Sequence, residues 1–218
     1  MTSSSTDAAA ATATVPAPRS TEPGSDAVTW QVSIRNLTPP DSQPFSPPVF
    51  AVHRPSVHVW QGGKIASHAL VAVAEDANNE VLVSALSKTA GVSDVFAADS
   101  GPIPPGASAE FTLQVRPGDR VSIVTMLVNT NDAFTGVDAL ELYGSSCTVR
   151  AISYDAGSEV NNELASAIPG PAGGNFFVRH PEGDVIRPHE GITGRGDLDP
   201  AVHGWTEPVA EIVFTRVD

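Results

Sequence analysis

Residues 110–128 read Glu-Phe-Thr-Leu-Gln-Val-Arg-Pro-Gly-Asp-Arg-Val-Ser-Ile-Val-Thr-Met-Leu-Val, and this stretch decides the fold class. Phe111, Leu113 and Val115 alternate with Glu110, Thr112, Gln114 and Arg116, the period-two pattern of a strand with one buried face. Pro117-Gly118-Asp119 supplies turn chemistry. From Arg120 to Val128 nearly every position is apolar, with Val121, Ile123, Val124, Met126, Leu127 and Val128. Such a run belongs in the middle of a sheet, covered on both faces. The two segments are expected to pair as a hairpin.

Towards the N-terminus, Trp30, Val32 and Ile34 alternate with Gln31, Ser33 and Arg35, which reads as a half-buried strand beginning near Val28. The prolines of Thr38 to Pro48 forbid helix and central strand, so that stretch is a stiff loop. Val49 to His53 reads as a short strand. Ile65 to Glu75 and Glu80 to Lys88 carry apolar residues at helical spacing and predict two short helices, expected to cap one end of a sheet. Towards the C-terminus, strands are predicted at Cys147 to Tyr154, Asn175 to Arg179, Asp184 to Arg187 and Val209 to Val217, with Glu182-Gly183 at a hairpin tip. About eight strands and two short helices predict an all-β antiparallel sandwich. Residues 1–27, rich in Ala, Ser, Thr and Pro, read as a disordered leader, leaving 28–218 as the folded domain.

Composition narrows the function. The chain of 218 residues is 41% hydrophobic, enough for a core, and its 18 glycines and 19 prolines suit a turn-rich fold. Twelve basic against 25 acidic residues give a formal net charge of −13. That surface repels phosphate backbones and anionic lipid headgroups, which argues against nucleic-acid partners, and it favours cations. A single cysteine, Cys147, excludes an intrachain disulfide and a cysteine-based zinc cluster. No apolar run approaches the roughly 18 residues of a membrane span. The first residues lack the basic start and apolar core of a secretory signal peptide.

The loop Asn129-Thr130-Asn131-Asp132-Ala133-Phe134-Thr135-Gly136-Val137-Asp138 follows the long apolar strand and reads as the functional edge. Asp132 and Asp138 are its acids. Asp155 and Glu159, in Tyr154-Asp155-Ala156-Gly157-Ser158-Glu159, follow another predicted strand. If the two strands run the same way, their ends share a rim. Carboxylates crowded on one rim repel each other unless a cation lies between them, and Ca²⁺ accepts irregular sets of about six to eight oxygens. Spacing equally allows ordinary Asx turns here, since Asp and Asn favour turns.

Several segments resemble the spondin N-terminal (F-spondin/mindin-like) domain family. They are Pro44-Phe45-Ser46-Pro47-Pro48, residues 53–60, Ala66-Ser67, Gly91-Val92-Ser93-Asp94-Val95, Pro104-Pro105-Gly106, residues 122–138, residues 154–159 and Pro208-Val209-Ala210. Gly196-Asp197-Leu198-Asp199-Pro200 with Trp205 looks like microbial members. The resemblance implies a C2-like β-sandwich of an extracellular or cell-surface adhesion module that binds calcium. Carried over residue by residue, it places the family's calcium ligands on Asp132, Asp155 and Glu159, with Glu at the last position where the family has Asp. It demotes Asp138 to a structural role. Asn-Thr-Asn stands before Asp132 where the family has Pro-Ser-Pro, which implies a less rigid loop here.

The resulting expectation is a non-enzymatic calcium-binding module that engages a protein, glycan or cell-surface ligand, with homo-oligomerisation open. A structural subunit of a surface layer, shell or filament is the alternative, and a carbohydrate-active hydrolase a weaker one. No Gly-x-Ser-x-Gly elbow, phosphate loop or His-Glu-x-x-His helix occurs. Arg195-Gly196-Asp197 matches an integrin-type tripeptide by letter. Paired strands of a Phe176 to Pro188 hairpin could carry His180 and His189, which favours a solvent-exposed or hydrogen-bonded pair over a transition-metal site.

Overall fold

The computed structural model describes residues 26–170 and 178–217. All but the last two residues of the expected leader lie outside the described residues. So do residues 175–177 of the strand expected at 175–179, while its described end, Val178 and Arg179, is not in a strand. The first strand, β1 (Val28–Asn36), buries Trp30, Val32 and Ile34 and exposes Gln31 and Arg35, as its alternation predicts. The others are β2 (Val49–His53), β3 (Val92–Ala97), β4 (Ser108–Val115), β5 (Arg120–Met126), β6 (Ala133–Glu141), β7 (Ser146–Ala151), β8 (Ser153–Asp155), β9 (Arg187–Pro188) and β10 (Ala210–Arg216). Helices α1 (His68–Asp76) and α2 (Asn79–Leu86) follow β2, and a short α3 (Pro200–His203) precedes β10.

The strands form two antiparallel sheets, β4-β1-β10-β7 and β3-β2-β5-β6-β8-β9. The all-β sandwich is therefore as the sequence predicts. Between the sheets, Trp30, Val32, Phe111, Leu113, Ile212 and Phe214 meet Phe50, Val52, Val121 and Ile123.

Three expectations about the architecture are corrected. The segments around Pro117-Gly118-Asp119 do not form a hairpin. β4 pairs with β1, β5 pairs with β2 and β6, and the turn carries the chain from one sheet to the other. A strand apolar on both faces needs cover on both, which β5 finds inside the larger sheet, whereas β4, exposed on alternate residues, sits at the edge of the smaller one. The segment Cys147 to Tyr154 is two strands in different sheets, β7 beside β10 and β8 beside β6. The helices do not cap a sheet end. They lie on the outer face of the larger sheet, where Leu70, Val73, Ala74, Leu82 and Leu86 cover Val49, Ala51, Val124 and Phe134. That third layer is what the second apolar face of β5 requires, since each fully buried side chain of this size contributes about 1.5–3 kcal/mol. Local signals set the bounds of α1: Ser67 Oγ accepts from Leu70 N–H, and Ala77, in the left-handed region at φ 53°, ends the helix.

The expected functional-edge loop is shorter than its sequence suggests. β6 begins at Ala133, so Asp138 lies within a strand. The pairing of β5 with β6 shifts between Val121 and Ile123, opposite Leu140 and Val137, so β6 bulges at Asp138–Ala139. Ser122 Oγ donates to Asp138 Oδ1 (2.9 Å) and accepts from Ala139 N–H (2.9 Å). Asp138 also accepts from Val59 N–H (2.7 Å) and Trp60 N–H (3.3 Å), and its other oxygen contacts His58 Nδ1 (2.6 Å). Asp138 thus pins the 58–60 loop to the bulge.

Candidate functional site: a carboxylate rim

β5 and β8 flank β6 antiparallel to it, so they run the same way and end on one rim. Asp155 pairs with Ala133, the residue after Asp132. The sequence-predicted acids Asp132, Asp155 and Glu159 are all buried, none more than 1% exposed.

The turn before Asp132, which lacks the family's prolines, is tied by side-chain hydrogen bonds. Thr130 Oγ donates to Leu127 carbonyl (2.6 Å) and accepts from Ala133 N–H (3.0 Å). Asn129 donates from N–H to Gln43 Oε1 (3.0 Å) and from Nδ2 to Ser42 carbonyl (2.6 Å), and Asn131 Oδ1 accepts from Glu163 N–H (3.1 Å). Buried side-chain hydrogen bonds do here what proline rings would do by fixing φ.

Asp132 Oδ2 accepts from Ser158 N–H (2.9 Å), Ser158 Oγ–H (3.1 Å) and Glu159 N–H (3.0 Å). Its Oδ1 is buried without a hydrogen-bond partner. Burial, and after it the charge of Asp155, pushes this carboxyl up to about 7. Asp155 Oδ1 accepts from Gly157 N–H (2.6 Å), while Oδ2 takes Asn161 Nδ2–H (2.7 Å) and Arg187 (2.9 Å). Glu159 accepts from Arg179 (3.0 Å) and from His180 N–H (3.1 Å). Burial raises both Asp155 and Glu159, against the lowering effect of those donors.

The donor set divides when tested against a calcium ion. Asp132 fits best, because it feels the charge of Asp155 and one of its oxygens lacks a donor, and Asp155 is the carboxylate beside it, though held by Arg187 and Asn161. Glu159 is turned to Arg179 and His180. Among the described residues, no three carboxylate, imidazole or thiol groups converge into a ready cage.

Four participants have roles that the sequence reading did not assign. Arg179 and Arg187 each bridge a rim acid to surface acids. His189 accepts from Gly191 N–H at Nδ1 (2.9 Å), so its Nε2 carries the proton and donates to Asn161 Oδ1 (3.1 Å), which leaves the Asn161 amide to donate to Asp155. His180 contributes its backbone to Glu159 and is exposed, whereas the His189 ring is held by Gly191 and Asn161. Glu163 is the fourth. Its carboxylate accepts from Thr193 N–H and Oγ–H, Gly194 N–H and Arg195 N–H at 2.6–2.9 Å. Burial pushes it up, but the four donors outweigh burial and hold it below the usual range. The Gly-rich run at 191–196 is the one sequence signal for such a nest.

The Arg195-Gly196-Asp197 tripeptide is built into this nest. Asp197 Oδ2 accepts from Ala165 N–H (2.9 Å), Arg195 pairs with Glu190, and a Cβ on Gly196 would stand 2.4 Å from Asn162 carbonyl. Glu163→Ala strands four donors and is expected to cost about 2–4 kcal/mol, with faster proteolysis at Arg195. Urea denaturation and limited trypsin digestion measure both, and an unchanged midpoint would contradict the structural role of the nest.

Among the described residues no helix is long and apolar enough to cross a membrane. A search of curated proteins finds no match to the chain. The family model for Spondin_N matches residues 33–161, which include Asp132, Asp155 and Glu159. That span is more than half of the chain, and the chain belongs to the spondin N-terminal domain family.

Proposed function

We propose that this chain is a non-enzymatic, calcium-binding, extracellular adhesion or ligand-binding module whose rim takes the ion at Asp132 and Asp155. The family, whose members are typically extracellular, supports the module class. The observation that carries the calcium reading is Asp132 Oδ1, buried, acidic and without a donor beside a second buried carboxylate. An ionised oxygen in that setting is costly unless a cation meets it. Calcium, which favours carboxylates and carbonyls and tolerates irregular geometry, suits the donors better than zinc. Bound there, the ion neutralises the rim and ties the Asp132 turn to the 155–159 loop, presenting a fixed surface to a protein, glycan or cell-surface ligand.

An ion that binds the folded state alone stabilises it by mass action. A calcium chelator is therefore expected to lower the melting temperature of the wild type but not of Asp132→Ala. Superimposable wild-type melting curves in excess calcium and in chelator would sink the calcium reading.

A further inference from the structure

The segment 178–188 folds over the loop that carries Asp155 and Glu159. Val160 N–H donates to His180 carbonyl (2.8 Å), Glu182 N–H to Ser158 carbonyl (3.0 Å) and Asp184 N–H to Gly157 carbonyl (2.7 Å), and β9 pairs with β8. A Cβ on Gly157 would stand 2.5 Å from Asp184 carbonyl, so the two backbones touch. The segment lies beyond the residues matched by the family model. It delivers one guanidinium to each of two rim acids.

Neither guanidinium belongs to the rim alone. Arg187 reaches Asp155 inside, and Glu182 (3.0 Å) and Asp184 outside. Arg179 reaches Glu159 inside, and Glu75 (3.6 Å) and Asp76 outside. The inner acids are buried, whereas the outer side chains keep 15–51% of their surface exposed. Each arginine can therefore leave its inner carboxylate and still hold an outer one. Among the described residues Asp132 has no cationic partner, only neutral donors on one oxygen.

We propose that Arg179 and Arg187 are built-in counter-cations that compete with the divalent ion for Glu159 and Asp155. When the ion enters at Asp132, the arginines retreat to their outer acids and Asp155 and Glu159 turn to the metal. Ion binding and release of the two guanidiniums from the inner acids are then one equilibrium, and the affinity is weaker than the bare carboxylates would give. The inference rests on the calcium reading above and adds to it what sets the affinity.

Calorimetric titration of the full chain with calcium tests both. An opposite charge at this range shifts a carboxylate's equilibria by about one to three decades, so Arg187→Gln and Arg179→Gln are each expected to tighten binding at least tenfold. The gain should persist in roughly 0.5 M salt, which screens more distant charges. Glu182→Gln/Asp184→Asn touches surface side chains only, keeps the fold, and removes the place to which Arg187 retreats. It is expected to weaken binding about threefold, as exposed ion pairs allow. Absence of saturable calcium binding, or equal binding by Asp132→Ala, overturns the calcium reading itself. Asp132-dependent binding that the arginine variants leave unchanged or weaken overturns the counter-cation proposal alone. Should both arginine variants fail to fold, tighter or unchanged binding by the surface variant overturns it equally.

Discussion

Gly136→Ala is expected to leave little or no folded protein. Gly136 lies in β6 at φ 149°, where a Cβ would stand 1.8 Å from Ile123 carbonyl oxygen and 3.3 Å from Val124 Cα. The collision is with backbone of the paired central strand, which no rotamer change relieves. β6 cannot retreat, because Phe134 is buried under the helices and Val137 between the sheets. Separating β5 from β6 would also break the bulge at Asp138. A cost above about 4 kcal/mol follows, a large part of the whole stability of a domain. Soluble yield and urea denaturation measure it. Gly118→Ala is the control: φ is also positive there, at 87°, but a Cβ meets only open space, so about 1–2 kcal/mol is expected. Equal effects of the two substitutions would mean that backbone conformation, not the contact with Ile123, makes Gly136 necessary.

The second large effect is a crossing of pH profiles in chelator. Asp132 titrates near 3.8 when unfolded and about 7 when folded, raised by burial and by Asp155. Between those values the folded chain binds the extra proton, so this group makes stability fall as pH rises, by about 4 kcal/mol over the window. His189 goes the other way. Burial lowers it from 6.5 to about 4, so the unfolded chain binds the extra proton and stability falls as pH drops through that window, by about 3 kcal/mol. Between about 4 and 6.5 the two slopes oppose each other. Relative to wild type, Asp132→Asn is expected to lose stability on acidification, and His189→Gln to gain it. At pH 8 Asp132→Asn, which keeps an acceptor for the three donors but removes the buried charge, should melt roughly 10 °C higher in chelator and gain nothing from calcium. Parallel profiles of the two variants would contradict both assignments.

What the sequence by itself determined were the features written in local period and local chemistry. The alternation at 30–34 and 111–115 marks strands with one wet face, and the largely apolar run at 121–128 marks a strand with none. The strand-end positions of Asp132 and Asp155 allowed one shared rim, and the antiparallel order of β5, β6 and β8 brings it about.

The tertiary structure decided which strands pair and what each rim acid meets. Pro117-Gly118-Asp119 has the same turn chemistry whether the chain folds back in its sheet or crosses to the other, and only the competing partners β1, β2 and β6 choose. Ile152 carries no mark that the chain changes sheets there. The bulge that takes Asp138 out of the functional edge depends on Ser122, 16 residues away. The partners of Asp155 and Glu159 come from Arg187 and Arg179, distant in the chain and unremarkable in type. Long-range electrostatics has no sequence period. The rim acids were therefore legible as positions, while the guanidiniums that hold two of them, and the absence of one at Asp132 among the described residues, follow only from how the 178–188 segment closes over the loop.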